Sequence, residues 1–428
     1  MTDIDSRPHA PGIPRGLWIV AVVAIAASIA MVLIGFERPA PGGSAGDPYH
    51  YGEIARSLVD HGFDRVTRRA AMLYPHLLAV MYSFGAGDVV VQALHGLFHA
   101  GTSILAFLMG RRLFNLRTGM LAGLATAVHP MLLRYVPDLN TEPMLAFALT
   151  LTVWCTIRFY DRPTIRNGIL LGAVGMLGTL TKGVVLPVVV AFLTVWFVRT
   201  VRRDGFSMKP VAAALAVVVT MAVVVAPWTY RNYRVSGGRF VLLTPGTADA
   251  FLRGYVFTRL EFATLRKPPY TDAENEVNQW FRRIARDAGT TWELDEIVDE
   301  DNNKRVMKQM IVEHPFDTAR KCLVGLFTFW YEMTSLRNSL IPAVLAVAGW
   351  ALALVGWKRA RAEDRPSWLL FLPVLSVNVF VAALIPLGRY SVPILPSLWI
   401  LAAFGADTLI ARLHREPSEQ ALAGSAGG

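Results

Sequence analysis

The sequence predicts an all-α polytopic membrane protein of about ten transmembrane helices, and three observations carry that expectation. Of its 428 residues, 54% are hydrophobic and 17% charged, with a mean hydropathy of +0.41. Such a chain is too apolar for a soluble protein and too regularly segmented for one large core. Apolar stretches of roughly 18 to 22 residues, the length that crosses a bilayer, recur along it. Lys and Arg then cluster in alternate short loops, as membrane topology requires. The formal net charge of +10 follows from that placement. The basic clusters carry neither aromatic interleaving nor a nucleic-acid motif, so nucleic acid is not an expected partner.

Taken in order, residues 1–16 are a polar, proline-containing tail, expected in the cytoplasm. The first apolar stretch, near 17–35, lacks a small-residue cleavage site and reads as an uncleaved anchor. Further spans are expected near 90–110, 118–134, 142–157, 167–181, 183–198, 210–227, 338–357, 367–387 and 390–411. The loops between them hold Arg111, Arg112 and Arg117; Arg158, Arg162 and Arg166; Arg199, Arg202, Arg203 and Lys209; and Lys358, Arg359, Arg361 and Arg365. These four loops are therefore assigned to the cytoplasm, and the even span count returns the tail at 412–428 to the same side. The alternate short loops or span ends carry only Arg134, Lys182 and Arg389. Two cysteines, Cys155 and Cys322, have no metal-ligand spacing and imply neither a disulfide nor a structural zinc.

The division is thus an N-terminal transmembrane module at 17–227 containing a first outer loop at 36–89, a long outer loop at 228–337, and C-terminal spans at 338–411. In the first loop, Ile54 to His61 is amphipathic and Met72 to Phe84 is apolar but short, which suits segments lying in the interface. In the second, Thr271-Asp-Ala-Glu274 is a capping box opening a helix towards Ala288, and a helix near 299–313 stops at His314-Pro315. Beyond it, Phe327, Phe329, Trp330 and Tyr331 suit the head-group level. The sequence holds no internal repeat, and only its small-residue C-terminal tail is of low complexity.

The spans hold almost no ionisable residue at mid-depth, where a charge costs about 2.5–3.5 kcal/mol on insertion scales and marks an ion or substrate path. The candidates stand instead at outer ends. Asp47 follows the first span in Gly46-Asp47-Pro48-Tyr49-His50-Tyr51, where water, head group and lipid tail meet. Arg69, Asp138, Glu142, Lys182 and Arg389 come from distant parts of the chain yet project to the same face. Such a set can hold an anionic lipid head group. Each also has a structural role open to it: a turn or cap for Asp47, a dipole-favoured helix start for Glu142, snorkelling for Lys182 and Arg389.

Gly46-Asp47 followed by Tyr51, Ala55 and Leu58, Tyr74-Pro75, His129-Pro130 with Thr141-Glu142-Pro143, Pro227-Trp228-Thr229-Tyr230-Arg231-Asn232-Tyr233, and Gly388-Arg389-Tyr390-Ser391-Val392-Pro393 with Pro396 together resemble the GT-C glycosyltransferases. Within them the chain is most similar to the group of protein O-mannosyltransferases and the lipid A aminoarabinose transferase, over about residues 40 to 405. The resemblance implies transfer of a sugar from a polyprenyl-phosphate carrier on the extracytoplasmic side of the inner membrane, with inversion at the anomeric carbon. It leaves the acceptor open between lipid, glycan and protein.

That chemistry needs a carboxylate to take the acceptor proton, which is expected of Asp47, with Glu142 steering the acceptor. It needs cations on the departing lipid phosphate, expected of Lys182, Arg389 and Arg69. Asp138, Tyr51, Tyr390 and His50 are expected in support. Cofactor use stays open. Some relatives employ a divalent ion, but Asp47 has no second carboxylate two residues on, and a site from Asp47, Glu142 and His50 is the remaining arrangement. A flippase for a lipid-linked sugar, for which Asn378 and the in-span glycines and prolines speak, is the alternative function, and a noncatalytic scaffold a third.

Overall fold

The computed structural model describes residues 14–36, 47–62, 73–205, 207–235, 238, 240–243, 246–258, 279–283, 285–287, 289, 300–333 and 336–425. Among these residues the chain is helical and contains no strand. Its helices are α1 (Arg15–Phe36), α2 (Asp47–His61), α3 (Leu73–Ser83), α4 (Asp88–Leu113), α5 (Leu116–Ala127), α6 (Pro130–Leu133), α7 (Glu142–Asp161), α8 (Ile165–Thr181) and α9 (Val185–Asp204). They continue with α10 (Met208–Val235), α11 (Thr247–Thr258), α12 (Glu300–Glu313), α13 (Pro315–Thr328), α14 (Leu336–Ala362), α15 (Trp368–Ala382), a 3-10 helix (Gly388–Ile394) and α16 (Leu395–Ser425).

Among the described residues, seven helical segments are long and apolar enough to cross a membrane: Arg15–Ile34, Asp88–Leu113, Glu142–Asp161, Val185–Asp204, Met208–Arg234, Asn338–Ala362 and Gly388–Leu413. Ile165–Thr181 and Trp368–Ala382 are apolar but shorter. Their apolar residues face outward where lipid would lie, as with Ile25, Ile29 and Leu33 on α1 or Val218, Val219 and Val223 on α10. The chain is a multi-pass membrane protein.

The expected span at 118–134 is not one helix. Helix α5 stops at Ala127, because His129 precedes a proline and is driven to extended backbone (φ −67°, ψ 118°). Its imidazole Nδ1 then caps the short α6 by accepting from Met131 N–H at 3.2 Å. The span expected at 367–387 likewise ends as a helix at Ala382. Residues 383–387 lead instead into the 3-10 helix, and Pro396 stands in the first turn of α16.

Packing in the bundle rests on glycine. A Cβ on Gly168 or Gly172 of α8 would strike the carbonyls of Ala213 or Val217 on α10, and one on Gly356 or Gly405 would strike Leu401 or Leu352 between α14 and α16. Gly110 and Gly119 bring α4 against α5 in the same way. In lipid, where apolar burial does little to drive helices together, such close approach supplies the attraction.

Polar staples tie one end of the bundle. Arg112 Nε donates to Asp161 Oδ2 at 2.8 Å, joining the C-termini of α4 and α7. Buried Asp407 on α16 receives Asn115 Nδ2 at 3.1 Å and pairs with Arg117 Nε at 3.3 Å and Arg359 Nη1 at 4.0 Å. At the opposite end α2 and α3 lie over the bundle on a small core of Tyr51, Ala55, Leu58, Tyr74 and Leu78. There too α11 and α12 share their own core of Phe251, Leu252, Tyr255, Val306 and Met310, and α13 joins it through the hydrogen bond between Tyr255 OH and Thr318 Oγ1 at 2.7 Å. The expected capping box at 271–274 lies outside the described residues, whereas the expected helix at 299–313 is α12 and stops at His314. Helix α13 docks on α15, with Asn378 Nδ2 donating to Leu326 O at 3.2 Å and Gly325 lying against Ala382. The in-span Asn378 that spoke for a transporter is thus spent on backbone.

The glycine contacts generate a prediction. Gly172→Leu forces α8 from α10 and is expected to destabilise by about 1–3 kcal/mol or more, read as a lower thermal midpoint in detergent, while Gly183→Ala, with nothing within reach of its Cβ, leaves the midpoint unchanged.

Candidate active site

The site is assembled where α7 begins. Pro143 stands in the first turn and fixes the helical start, and Glu142 occupies that turn, where the helix dipole favours a carboxylate. Glu142 is 2% exposed, so its charge requires a partner. Lys182 supplies it, with Nζ 3.6 Å from Oε1 and the side chain 17% exposed. Lys182 is the residue that closes α8; its extended backbone (φ −161°, ψ 132°) turns the chain towards α9 and projects the ammonium across the bundle end. Oε2 of Glu142 is buried without a hydrogen bond among the described residues.

The 3-10 helix brings the third component. Lys182 Nζ lies 4.2 Å from the ring centroid of Tyr390, and Arg389 Cζ lies 5.0 Å from that same centroid, with Nη2 donating to the Tyr390 hydroxyl at 3.1 Å. One aromatic ring therefore carries two cations, an arrangement its quadrupole favours. Gly388 N–H donates to Glu332 O at 2.7 Å, and Ser391 Oγ donates to Gly388 O at 2.7 Å. Only glycine fits at 388, because a Cβ would press on Glu332 O and the Met333 sulfur. Buried Tyr135 stands within the field of the cluster; its phenol is pushed up by burial and by Glu142, against the opposing pull of Arg134 and Arg389.

A second chain of contacts ties α2 to this end. The rings of Tyr51 and Tyr74 meet edge to face at 5.4 Å, Tyr74 OH lies 3.0 Å from His95 Nε2, and His95 Nδ1 lies 3.2 Å from Val136 O. A carbonyl only accepts, so Nδ1 carries the proton and Nε2 accepts from the phenol. Burial, more than any neighbour, drives the Tyr74 hydroxyl well above its ordinary range, which keeps it a donor. Gln92 Nε2 adds a bond to Pro137 O at 2.8 Å. Helices α2, α3 and α4 are thereby fixed to the 134–140 segment that leads into Glu142.

Of the residues expected from sequence, Glu142, Lys182, Arg389 and Tyr390 come together directly. Tyr51 stands apart from them, linked through Tyr74 and His95 to Val136 O, and Asp138 is exposed on the 134–140 segment. Asp47 starts α2 one turn before Tyr51, and His50 lies in that turn, but both side chains fall outside the described residues, as does all of Arg69. Sequence reasoning missed His95, Tyr135 and Glu332. The signal for His95 was present as two histidines four apart, His95 and His99, inside an expected span; both are buried, and His99 Nε2 lies 3.0 Å from Ala127 O. Among the described residues no three His, Cys, Asp or Glu side chains converge as metal ligands.

The Pro-Trp-Thr-Tyr-Arg-Asn block acts as a clamp. Trp228 Nε1 donates to Leu243 O at 3.0 Å, Thr229 Oγ1 to Leu242 O at 3.1 Å, and Asn232 Nδ2 to Val241 O and Leu243 O at 3.0 and 2.8 Å. The end of α10 thus folds residues 241–243 back upon itself. Trp228 also meets His76 of α3 edge to face at 5.2 Å and carries Arg231 at 4.6 Å.

Two predictions follow from this geometry. Lys182→Met strands a buried carboxylate and is expected to cost about 3–5 kcal/mol. Glu142→Gln costs less, and the double variant costs at least about 1 kcal/mol less than the sum of the single ones, measured as a thermal cycle in lipid. Asn232→Ala leaves Val241 O without its donor and Leu243 O with Trp228 Nε1 alone, a loss of about 1–3 kcal/mol, and is expected to speed amide exchange of the folded-back segment at 241–243 while leaving α8 protected.

A family model for dolichyl-phosphate-mannose-protein mannosyltransferase matches residues 70–230, which include Glu142 and Lys182. The fold matches the archaeal oligosaccharyltransferase AglB from Archaeoglobus fulgidus, solved with an inhibitory peptide and a dolichol-phosphate, at a TM-score of 0.57 and 13% identity over 95% of this chain and 52% of that one. The apo form of the Archaeoglobus fulgidus oligosaccharyltransferase matches at a TM-score of 0.58 and 14% identity, over 94% and 52%. ArnT from Cupriavidus metallidurans bound to undecaprenyl phosphate matches at a TM-score of 0.42 and 16% identity, over 90% and 77%. The chain spans about half the length of the oligosaccharyltransferases it resembles. No curated protein sequence matches it. With its helical membrane bundle and the charged cluster at one end, the chain carries the GT-C fold of membrane glycosyltransferases.

Proposed function

We propose that the protein is an inverting glycosyltransferase that moves a sugar from a polyprenyl-phosphate carrier to a hydroxyl of a lipid, glycan or protein acceptor at the extracytoplasmic face of the inner membrane. The observation that carries this reading is the pair of cations on Tyr390, Lys182 at 4.2 Å and Arg389 at 5.0 Å, at the bundle end opposite the arginine-rich loops. Basic loops favour the cytoplasmic side, which turns the cluster outward. The dolichol-phosphate in the AglB structure and the description of the matching family model support the donor class.

In this reading the acceptor oxygen attacks the anomeric carbon and its proton passes to the carboxylate of Asp47, while the bond from that carbon to the phosphate oxygen breaks. A single in-line displacement inverts the centre. Charge grows on the departing lipid phosphate, and Lys182 and Arg389, already held against one ring, meet it without reorganising. Glu142 is 2% exposed and serves through Lys182, whose ammonium it holds in place. Arg69 would add to the phosphate site, and Asp138, His50 and Tyr51 to the acceptor side. The bilayer confines the carrier tail and leaves only its head group to orient.

The test uses the purified chain in lipid with a panel of polyprenyl-phosphate sugars and candidate acceptors. Wild type is expected to transfer with inversion, and Asp47→Asn to lose at least about a hundredfold in rate with its fold intact. Equal transfer by the variant would remove Asp47 as the base. Movement of the lipid across the bilayer without transfer would replace the reading by a flippase.

A further inference from the structure

The proposed reaction divides its work between two parts of the fold, and one imidazole is hydrogen-bonded towards both. Asp47 opens α2, which lies over the bundle end, whereas Glu142 begins α7 and Lys182 closes α8. A base and a phosphate site borne on separate elements need a fixed separation, because a displacement of about 1 Å can cost on the order of a hundredfold in rate.

His95 stands two turns into α4 and is fully buried. Its Nε2 lies 3.0 Å from Tyr74 OH and its Nδ1 3.2 Å from Val136 O, and its ring stacks on that of Tyr74 with centroids 5.8 Å apart. Because the carbonyl only accepts, the neutral ring donates at one nitrogen and accepts at the other, and both are spent. On the first side, Tyr74 of α3 meets the ring of Tyr51, one turn after Asp47, and both tyrosines are buried. On the second, Val136 belongs to the segment that runs into Glu142. Gln92, one turn before His95 on α4, donates to the next carbonyl along that segment, Pro137 O, at 2.8 Å. The two sides meet again beyond the imidazole: a Cβ on Gly52 of α2 would stand 3.7 Å from Leu139 Cδ1, three residues before Glu142.

We propose that His95 is a positioning residue for the transfer reaction, an inference that rests on the reading of Asp47 as the base. Bonded to Tyr74 through one nitrogen and to Val136 through the other, His95 fixes the first turn of α2 relative to the Glu142–Lys182 pair. It touches no substrate and acts through Tyr74 and Tyr51 on one side and through the start of α7 on the other.

The experiment measures transfer kinetics and amide exchange in lipid for wild type, His95→Asn and Tyr74→Phe, each with and without Asp47→Asn. The asparagine retains a donor for Val136 O and loses the acceptor for Tyr74, and the phenylalanine removes the same bond from its other end. Each single variant is expected to lower kcat at least tenfold with KM for the carrier-linked sugar within twofold. Neither is expected to slow the residual rate of Asp47→Asn further, since a base already absent cannot be displaced, whereas a loss of folded protein would slow both backgrounds alike. Amide exchange at 47–61 is expected to quicken at least fivefold in both variants, with α8 and α9 unchanged. If His95→Asn fails to fold, Tyr74→Phe, which removes one oxygen, carries the decision. Wild-type kcat in these variants, or an equal further loss in the Asp47→Asn background, would overturn the proposal, as would an Asp47→Asn rate equal to wild type. Absence of transfer by wild type would instead sink the reading of the site, and exchange at 47–61 would then decide the hold on α2 by itself: quickened exchange supports it and unchanged exchange overturns it.

Discussion

Close backbone approach is the constraint on which this molecule depends. In a bilayer, exclusion of apolar surface from water does little to bring two helices together, so the attraction has to come from atoms in contact. Glycine at 168, 172, 356 and 405 lets main chain meet main chain, and each site is one where a single added carbon would strike a carbonyl. The frame that results sets the distance between helix ends to within a side chain. That spacing matters because the functional groups are borne on ends: Glu142 begins one helix, Lys182 closes another and Arg389 stands on the short helix before a third. No loop of the described chain has to place them independently.

Charge divides the bundle into two chemically different ends. At one, arginines meet carboxylates in staples such as Arg112 with Asp161, or Asp407 with Arg117 and Arg359. Partly exposed ion pairs of this kind contribute modestly to stability. At the other, Lys182 pairs with Glu142, and Lys182 and Arg389 both lie against the ring of Tyr390.

Most of the bundle was legible in the sequence, because a stretch of twenty apolar residues in lipid has few conformations besides a helix. The misses have local causes. The stretch at 118–134 looked continuous by hydropathy, but His129-Pro130 breaks the hydrogen-bond ladder, and hydropathy does not register a proline. The meeting of Glu142, Lys182 and Arg389 at one face followed from alternation of spans, whereas the ring that joins the two cations required tertiary structure. His95 and Tyr74 escaped notice as a pair because they are 21 residues apart, one on a helix too short to span. The Trp228 block was read as a family signature, and its physical content, a side-chain clamp on the returning chain, depended on where residues 241–243 run. Lys321 stood in an unremarkable amphipathic stretch, and nothing in its neighbours along the chain announced that it points inward.

The bond from Gly388 N–H to Glu332 O joins the residue before Arg389 to the turn that ends α13. Helix α13 in turn holds the end of α15, through Lys321 on Ala383 O and through Leu326 O on Asn378. The helices of the long loop and the arginine are consequently coupled as parts of one lever: a tilt of α13 transmits a displacement to the guanidinium through a single peptide linkage, without any side chain having to relay it.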